Sequence, residues 1–263
     1  MQPGNNVIIL LAPSKTMDFA TPSLFDIKPQ EPLFSAKSAQ IAERLQKLTV
    51  NKIITSMSVS KPIAEAVHGS YANWRPSSTG KVALWTYTGD VYKGLQAKTM
   101  SKANADWAEQ HLLIASGLYG LVRPYDGIQS YRLEMKSALR IGQKQNLYEF
   151  WEDKLSSYVN NSSASWVCNC SSDEYSRATV TGLKIPVVTP VFFDKKPNGL
   201  VGTVPIYSKM MRGVIARWMI DNRINKAEQL KDFKGHGYSY DAARSKPGFP
   251  AFSRAKMVPL QFN

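Results

Sequence analysis

The chain has 263 residues, of which 43% are hydrophobic and 20% are charged. This composition excludes a disordered protein, because there is enough apolar surface to offset the entropy of ordering the backbone. Lysine and arginine outnumber aspartate and glutamate by 33 to 20, which gives a formal net charge of +13 at pH 7. The length fits one compact domain, so we predict a single domain over residues 1–263.

The charge and the first apolar stretch bear on location and partners. Residues 7–12 are apolar, but the stretch is too short for a signal peptide or a membrane span. We therefore expect a soluble cytoplasmic protein with no membrane partner. An excess of cations is typical of proteins that meet a polyanion, although proteins that bind anionic metabolites or stay soluble by self-repulsion are also basic. Nucleic acid is the partner that the charge favours.

Strand-like runs alternate with segments of helical period along the chain. Strands are predicted, in chain order, at NVIILLAP, KVALWTYT, HLLIASGLYG, SWVCNC, VVTPVFFD and TVPIY. Helices are predicted near residues 35–48, 61–74, 102–110, 147–160 and 209–223. Interleaved strands and helices indicate a mixed α/β (α+β) fold, in which helices cover a central mixed sheet.

The residues after the first predicted strand include a lysine of interest. Open α/β sheets place ligand contacts at the carboxyl ends of their strands, and Lys15 lies there. The Lys15-Thr16 pair suggests a phosphate-binding P-loop, but the required glycines are absent and Pro13 lacks an amide donor. Lys15 remains a candidate anion contact, a candidate buried amine that acts as a nucleophile, or an ordinary surface lysine.

Acidic residues follow the next predicted strands. Asp90 comes after a strand and after Gly89, a pattern that ordinary turn chemistry also produces. If residues 131–135 are extended, Tyr131, Leu133 and Met135 face one side of the segment. Arg132 and Glu134 then face the other side. That arrangement suits recognition of a phosphate or a base, and a structural ion pair is the alternative.

A polar run that includes Glu174 follows the fourth predicted strand, where an Asx turn or a helix cap is the simplest explanation. The acids Asp90, Asp126, Glu134 and Glu174 could gather around a hard metal ion, but no spacing requires it. We predict no metal site and no cofactor.

The chain has two cysteines, Cys168 and Cys170, and three scattered histidines. We expect the two cysteine side chains to point to opposite faces of a strand, so that no disulfide forms between them. No spacing of cysteine and histidine resembles that of a zinc or iron site.

The helix predicted near residues 209–223 carries a row of cations. At about 100° per residue, Lys209, Arg212 and Arg223 fall on one narrow face, opposite the apolar side, whereas Arg217 lies off that face. Cations on a rigid helix suit the tracking of phosphates, and an ordinary solvated face is the alternative.

Residues 45–68 predict a helix, a short turn and a second helix, with Pro62 near the start of the second. A hairpin of helices presents its turn amides and a helix N-terminus to phosphate groups. Ser60 and Lys61 are therefore candidate DNA contacts. The helical subregion that contains this hairpin spans about residues 35–74.

Assembled in order, these segments resemble the YaaA family of bacterial peroxide-stress proteins over nearly the whole chain. The residues that carry the resemblance are Pro13, Lys15, Thr16 and Asp18; Gly89-Asp90-Val91-Tyr92 with Gly94-Leu95; Ser116-Gly117-Leu118-Tyr119-Gly120 with Arg123-Pro124; Tyr131-Arg132-Leu133-Glu134-Met135; Asn169, Ser172, Glu174 and Tyr175; Pro190-Val191-Phe192 with Asp194; and Lys209, Arg212-Gly213, Arg217 and Asn222-Arg223. One departure is at the opening motif, Ser-Pro-Ala-Lys-Thr in the family, where this chain has Ala12 and Ser14.

The resemblance implies a cytoplasmic protein that helps cells survive hydrogen peroxide by limiting iron-dependent damage to DNA. It also implies an α/β fold with a basic cleft and a helix-hairpin-helix element that binds DNA, including distorted duplex. We therefore predict a DNA-binding protein and expect a monomer. The residues expected to contact DNA are Ser60, Lys61, Arg132, Lys209, Arg212, Arg217 and Arg223.

Two alternatives belong to other classes of function. The first is an enzyme that acts on a damaged or flipped base, with Lys15 as nucleophile and Asp90, Glu134 or Glu174 as acid or base. The second is an iron-binding protein, which the sparse cysteine and histidine disfavour.

Overall fold

The structure is a computed structural model, and it describes residues 6–76 and 80–262. Its strands are β1 (Val7–Leu11), β2 (Lys81–Val82), β3 (Leu112–Ser116), β4 (Gly120–Val122), β5 (Gly127–Ile128), β6 (Trp166–Cys170), β7 (Val187–Val188), β8 (Val191–Lys195), β9 (Val201–Gly202), β10 (Lys234–Gly235), β11 (Tyr238–Tyr240) and β12 (Ala251–Arg254). Its α-helices are α1 (Ser35–Gln46), α2 (Val50–Met57), α3 (Lys61–Asn73), α4 (Asp90–Leu95), α5 (Lys102–His111), α6 (Leu147–Trp151), α7 (Lys154–Asn160), α8 (Asp173–Thr179) and α9 (Pro205–Asp221). Short 3-10 helices cover Ala83–Trp85, Ala97–Thr99 and Ala227–Asp232.

The first large sheet has the strand order β4-β3-β1-β6-β7. Its central strand, β1, runs parallel to both β3 and β6, and β7 extends the parallel part. Strand β4 returns antiparallel to β3 and makes the sheet mixed. All five residues of β1 are buried, as expected for a continuous apolar run covered on both faces.

The second large sheet has the order β10-β11-β12-β8-β9, and β2 pairs with β5 in a small ribbon. Helix α9 contacts β1 and β6 of the first sheet and β8 of the second, so it connects the two layers. The prediction of a mixed α/β fold is confirmed, but the strands divide among several sheets and do not form one central sheet. The buried side chains form a contiguous cluster, and the single domain stays a prediction.

Two predicted strands differ from the structure: KVALWTYT is a strand only in part, and TVPIY contains no strand residue. In KVALWTYT, only β2 is a strand and the next residues form a 3-10 helix, because the amides of Ala83 and Leu84 donate to carbonyls of Asp126 and Pro124. In TVPIY, the last three residues begin α9, with Pro205 at its first turn, where a missing amide proton costs no helical hydrogen bond.

Two predicted helices also differ from the structure. The helix expected over residues 147–160 is split into α6 and α7 at Glu152, whose φ of 47° lies in the left-handed region and cannot continue a helix. The helix expected from residue 209 to 223 begins earlier, at Pro205, and ends at Asp221. Arg223 therefore lies beyond the helix.

Three helices occupy the subregion near residues 35–74. The predicted helix, turn and second helix are present as α2, a turn and α3, and the contact between these two helices is close. Helix α2 begins after Thr49, whose hydroxyl accepts a hydrogen bond from the Lys52 amide, and it ends at Ser58 in the left-handed conformation. Whether this hairpin meets DNA stays a prediction.

The expectation that the two cysteine side chains point to opposite faces of the strand is wrong. Residues two apart on a strand point to the same face, and the sulfurs of Cys168 and Cys170 lie 3.8 Å apart in the buried interior of β6. Both are free thiols. Contact with the Cys170 thiol, together with burial, raises the pKa of Cys168, so that this thiol stays protonated and unreactive at neutral pH.

A buried carboxyl group on α5 predicts how stability depends on pH. Glu109 accepts a hydrogen bond from the Tyr125 amide at 2.7 Å. Burial raises the pKa of Glu109 from 4.5 to about 7, and the nearby charge of Asp126 acts in the same direction. Between these two pKa values the native state binds more protons than the unfolded state, so the free energy of unfolding falls as the pH rises through this range.

We expect Glu109→Gln to remove this dependence, because the amide keeps an acceptor for the Tyr125 amide and carries no charge. Urea unfolding of both proteins at pH 5 and pH 8 measures the effect. The wild type should lose about 2 to 3 kcal/mol relative to the variant between these pH values. Parallel pH profiles of the two proteins would contradict the prediction.

Candidate functional site

A cleft opens at the carboxyl ends of the parallel strands β1 and β6. It has a volume of about 680 Å³. Its walls come from the loop after β1, the segment that leads into α4, residues 131–136, the start of α8, and α9. This is the position in which open α/β sheets bind ligands.

The charged side chains of the cleft are mostly positive. Among the described residues, its lining contains the cations Lys15, Lys93, Arg132, Lys136, Lys209 and Arg212, and the acids Asp90, Glu134 and Glu174. Six cations and three acids give the lining a net formal charge of +3. A concave surface with an excess of one sign of charge concentrates ligands of the opposite sign, so the cleft favours anions.

Half of these cations form ion pairs with two of the acids. The Lys15 Nζ lies 2.7 Å from Glu134 Oε1, and the Lys136 Nζ lies 3.4 Å from Glu134 Oε2. Elsewhere in the lining of the cleft, the Lys93 Nζ lies 3.2 Å from Asp90 Oδ1. The Lys15 side chain is 56% exposed, so the buried amine that the nucleophile interpretation assumed is not observed.

The other three cations lack such partners. Within residues 6–76 and 80–262, Arg132, Lys209 and Arg212 form no ion pair and no side-chain hydrogen bond. The Nε of Arg132 is buried and has no hydrogen-bond partner there. A buried donor without an acceptor costs free energy, so an anion that entered the cleft would supply a missing interaction.

Glu134 is ionised at neutral pH. Partial burial alone would raise its pKa, but the hydrogen bond and charge of Lys15 and the charge of Lys136 outweigh burial, so the pKa of Glu134 lies below its ordinary value. A carboxylate in this state can accept a proton or hold a lysine in place. It is not a proton donor at neutral pH.

The loop after β1 is held in position by the segment that leads into α4. The Thr88 amide donates to the Thr16 carbonyl at 3.1 Å, and the Tyr92 hydroxyl donates to the Ala12 carbonyl at 3.0 Å. Gly89 approaches so closely that a Cβ there would lie 2.4 Å from the Ser14 hydroxyl. A larger residue at position 89 would therefore push the Ser14 hydroxyl away from the Thr16 amide, which donates a hydrogen bond to it.

A chain of buried hydroxyl groups lies beneath the cleft. The Tyr131 hydroxyl is 2.7 Å from the Ser116 hydroxyl and 2.9 Å from the Tyr87 hydroxyl. Burial raises the pKa of Tyr87 and Tyr131, so both phenols are protonated at neutral pH. The alternation predicted for residues 131–135 is confirmed, because Tyr131, Leu133 and Met135 are buried, whereas Arg132 and Glu134 are partly exposed.

The structure brings together seven of the predicted site residues in the cleft: Lys15, Asp90, Arg132, Glu134, Glu174, Lys209 and Arg212. Ser60 and Lys61 do not line it and lie at the turn between α2 and α3. Glu174 lies in the first turn of α8 and accepts a hydrogen bond from the Lys136 amide at 3.2 Å.

Arg217 and Arg223 are held in contacts outside the cleft. Arg217 pairs with Asp221 at 2.8 Å and donates to the Thr99 hydroxyl at 2.7 Å. The prediction that Arg223 shares a helix face with Lys209 and Arg212 is wrong, because it follows α9 with a φ of 54° and donates to the Asn104 side chain.

The predicted site residues left out other residues that line the cleft, among them Tyr92, Lys93, Lys136 and Tyr175. Lys93 and Tyr92 belong to the motif that follows Asp90, and Lys136 directly follows the motif that ends at Met135. Tyr175 follows Glu174. Each of these residues lies in or next to a motif that the sequence analysis named, and this position was the available signal. The sequence around a single lysine or tyrosine does not show whether its side chain faces the cleft.

Residues 6–76 and 80–262 contain neither a cluster of candidate metal ligands nor a membrane-spanning helix. No three side chains of histidine, cysteine, aspartate or glutamate within the described ranges are grouped so that they could hold a metal ion. Asp126 instead pairs with Arg123 at 2.7 Å. None of the helices described is long and apolar enough to cross a membrane.

The fold and the cleft define a mixed α/β protein with an anion-attracting site at the carboxyl ends of its parallel strands. A family model described as "Peroxide stress protein YaaA" matches residues 7–244. The chain therefore belongs to the family of YaaA peroxide stress proteins, and this membership supports a role in the response to peroxide stress.

Relatives in several bacteria are similar over nearly their whole length. A UPF0246 protein of Burkholderia vietnamiensis (strain G4 / LMG 22486) is 38% identical over 258 residues, which cover 94% of this chain and 98% of the relative. A UPF0246 protein of Paraburkholderia xenovorans (strain LB400) is also 38% identical, with the same coverage. One of Burkholderia cenocepacia (strain HI2424) is 36% identical over the same share of both chains.

Proposed function

We propose that this protein acts in the peroxide-stress response by binding DNA in the cleft, and that it thereby limits iron-dependent damage to DNA. One observation carries the DNA-binding part: Arg132, Lys209 and Arg212 line the cleft without partners among the described residues. The iron-related part rests on the resemblance to the family alone.

Phosphate groups match these three cations in charge and in hydrogen-bonding chemistry. Two of the cations project from the long helix α9, and Arg132 reaches the cleft from a segment whose neighbours are buried. Arginine binds phosphate oxygens through two parallel hydrogen bonds, whereas lysine acts as a point charge. Such contacts read the backbone and not the bases, so we expect little sequence preference.

The hairpin of α2 and α3 offers a second contact. Lys61 is 73% exposed, and its pair with Glu65 is long, at 3.9 Å. Helix α3 begins at Lys61 and presents its free amides near Ser60. A duplex that met both the hairpin and the cleft would cover more of the basic surface than either contact alone.

The test is fluorescence anisotropy of a labelled duplex across a potassium chloride series. We expect Arg132→Ala/Lys209→Ala/Arg212→Ala to weaken binding and to lower the slope of log affinity against log salt by about three, since each phosphate contact contributes about 0.9. Lys28→Ala/Lys184→Ala/Lys256→Ala is the matched control, because it removes the same charge from exposed positions outside the cleft. Equal losses in the two variants would overturn the cleft as the DNA-binding site.

A second candidate function is that of a lyase that acts on abasic DNA. It is favoured by the 2.7 Å contact between the Lys15 amine and the Glu134 carboxylate, which can accept the proton that the amine must lose before it attacks. Attack on the aldehyde of an abasic site would release water and form an imine, which borohydride reduces to a stable crosslink. Crosslinking that Lys15→Ala abolishes and Lys93→Ala preserves would support this function, and no crosslink with intact Lys15 would exclude it.

A further inference from the structure

A second cavity adjoins the cleft and has no role in the proposed function. We call it the aromatic cavity, and its volume is about 770 Å³. It shares Thr88, Tyr92 and Lys93 with the cleft, so the two spaces have a common wall. The volume lies within the range of about 300 to 1,000 Å³ that is typical of small-molecule sites.

Four aromatic side chains contribute to the lining of the aromatic cavity. Trp85, Tyr87, Tyr92 and Phe262 all contribute to its wall, and Tyr87 and Tyr92 are stacked with ring centroids 5.1 Å apart. Aromatic side chains with a few polar groups favour a flat aromatic ligand, because stacking on rings tolerates different ring chemistries.

The buried hydroxyl chain has one proton beyond those that its own hydrogen bonds need. The Tyr119 amide donates to the Ser116 hydroxyl at 3.1 Å, and each hydroxyl in the chain has one proton to give. If Ser116 donates to Tyr131 and Tyr131 donates to Tyr87, the proton left over belongs to Tyr87, which lines the aromatic cavity. The reverse order would leave over the proton of Ser116, which does not line the aromatic cavity.

Cations lie at the boundary between the two spaces. Lys93 is 57% exposed, and its pair with Asp90 is of the weak surface kind that a phosphate can replace. On α9, Met210 lines the aromatic cavity, whereas Lys209 and Arg212 line the cleft. All three lie within one turn of the helix. A ring beside Met210 would have phosphate-binding side chains close to it.

We propose that the aromatic cavity binds a nucleobase, and that the phosphate attached to it is held by Lys93 and the cations of α9. Two sources supply this chemistry: a free nucleotide, or an unpaired base of a DNA strand that lies in the cleft. The second source rests on the proposed function and the first does not.

The first arm of the test is calorimetric titration of the protein with dGMP and with deoxyguanosine. We expect dGMP to bind more tightly than deoxyguanosine, and Phe262→Ala to weaken dGMP about tenfold through the loss of one stacking ring. Phe249→Ala is the control, since it removes a half-exposed ring that does not line the cavity.

The second arm uses 2-aminopurine, whose fluorescence is quenched by stacking, at an unpaired position of a bubble duplex. We expect quenching on binding that Phe262→Ala reduces while anisotropy shows that the DNA is still bound. Quenching without dGMP binding assigns the cavity to a DNA base, and dGMP binding without quenching assigns it to a free nucleotide. The absence of both quenching and dGMP binding would overturn the proposal. Nucleotide binding by a protein that binds no DNA would instead refute the proposed function and leave the cavity assignment standing.

Discussion

Gly213→Ala is expected to destabilise the protein by a net of about 2 kcal/mol. A Cβ at Gly213 would lie 1.8 Å from the Val91 carbonyl oxygen, and one at Gly94 would lie 2.1 Å from the Met210 carbonyl oxygen. Helices α4 and α9 therefore touch backbone to backbone, and even a methyl group must push them apart. Overpacking of this kind costs about 3 kcal/mol at the upper end of its usual range. Alanine returns about 1 kcal/mol through its higher helix propensity.

Urea unfolding followed by circular dichroism measures this effect. Gly69→Ala is the matched control. Gly69 is helical, as Gly213 is, but it is exposed, and a Cβ there would have no atom within 4 Å. We expect that variant to be more stable than the wild type by about 0.5 to 1 kcal/mol. The same sign for both variants would contradict the close packing of α4 on α9.

The contact between these helices also matters for function. It sets Tyr92 and Lys93 of α4 beside Met210 of α9, and these residues form part of the wall between the cleft and the aromatic cavity. We therefore infer that the glycines at positions 94 and 213 maintain the shapes of the cleft and of the aromatic cavity.

Arg254→Met is expected to destabilise the protein by about 3 to 5 kcal/mol, because it leaves the Asp194 carboxylate buried without its cation. The Arg254 Nε lies 2.5 Å from Asp194 Oδ1, and both side chains are almost completely inaccessible to solvent. The guanidinium lies between the rings of Tyr207 and Tyr238, 4.6 and 4.7 Å from their centroids. The pair connects β12 to β8 inside the second sheet.

The control for this prediction is Arg244→Met. Arg244 pairs with Asp241 at 2.8 Å, but the arginine is 44% exposed, so we expect a loss below about 1 kcal/mol. The double variant Asp194→Asn/Arg254→Met removes both charges, and it should recover part of the stability that the single variant loses. Thermal unfolding of the three variants and the wild type measures these changes in stability. A double variant no more stable than Arg254→Met would show that lost packing, and not an unpaired charge, is responsible.

Local pattern in the sequence predicts the parts of the site that lie on one strand or one extended segment. The apolar run of β1 indicated that Lys15 lies at the carboxyl end of that strand. The alternation in residues 131–135 indicated that Arg132 and Glu134 face the cleft. These predictions succeeded because the direction of a side chain along an extended backbone repeats every two residues. The excess of cations was equally visible, since charge needs no fold to be counted.

Which cations are available to a ligand was decided by the tertiary structure alone. Arg212 and Arg217 lie on the same helix, yet Arg212 lines the cleft without a partner among the described residues, whereas Arg217 is bound to Asp221 and to the segment after α4. Arg223 was lost from the predicted row because α9 ends at Asp221. Asp221 is four positions from Arg217 on the same helix, but Thr99 is more than a hundred positions away, and no local periodicity contains that second contact. The aromatic cavity likewise exists only because α4, α9 and residues near 260 meet in space.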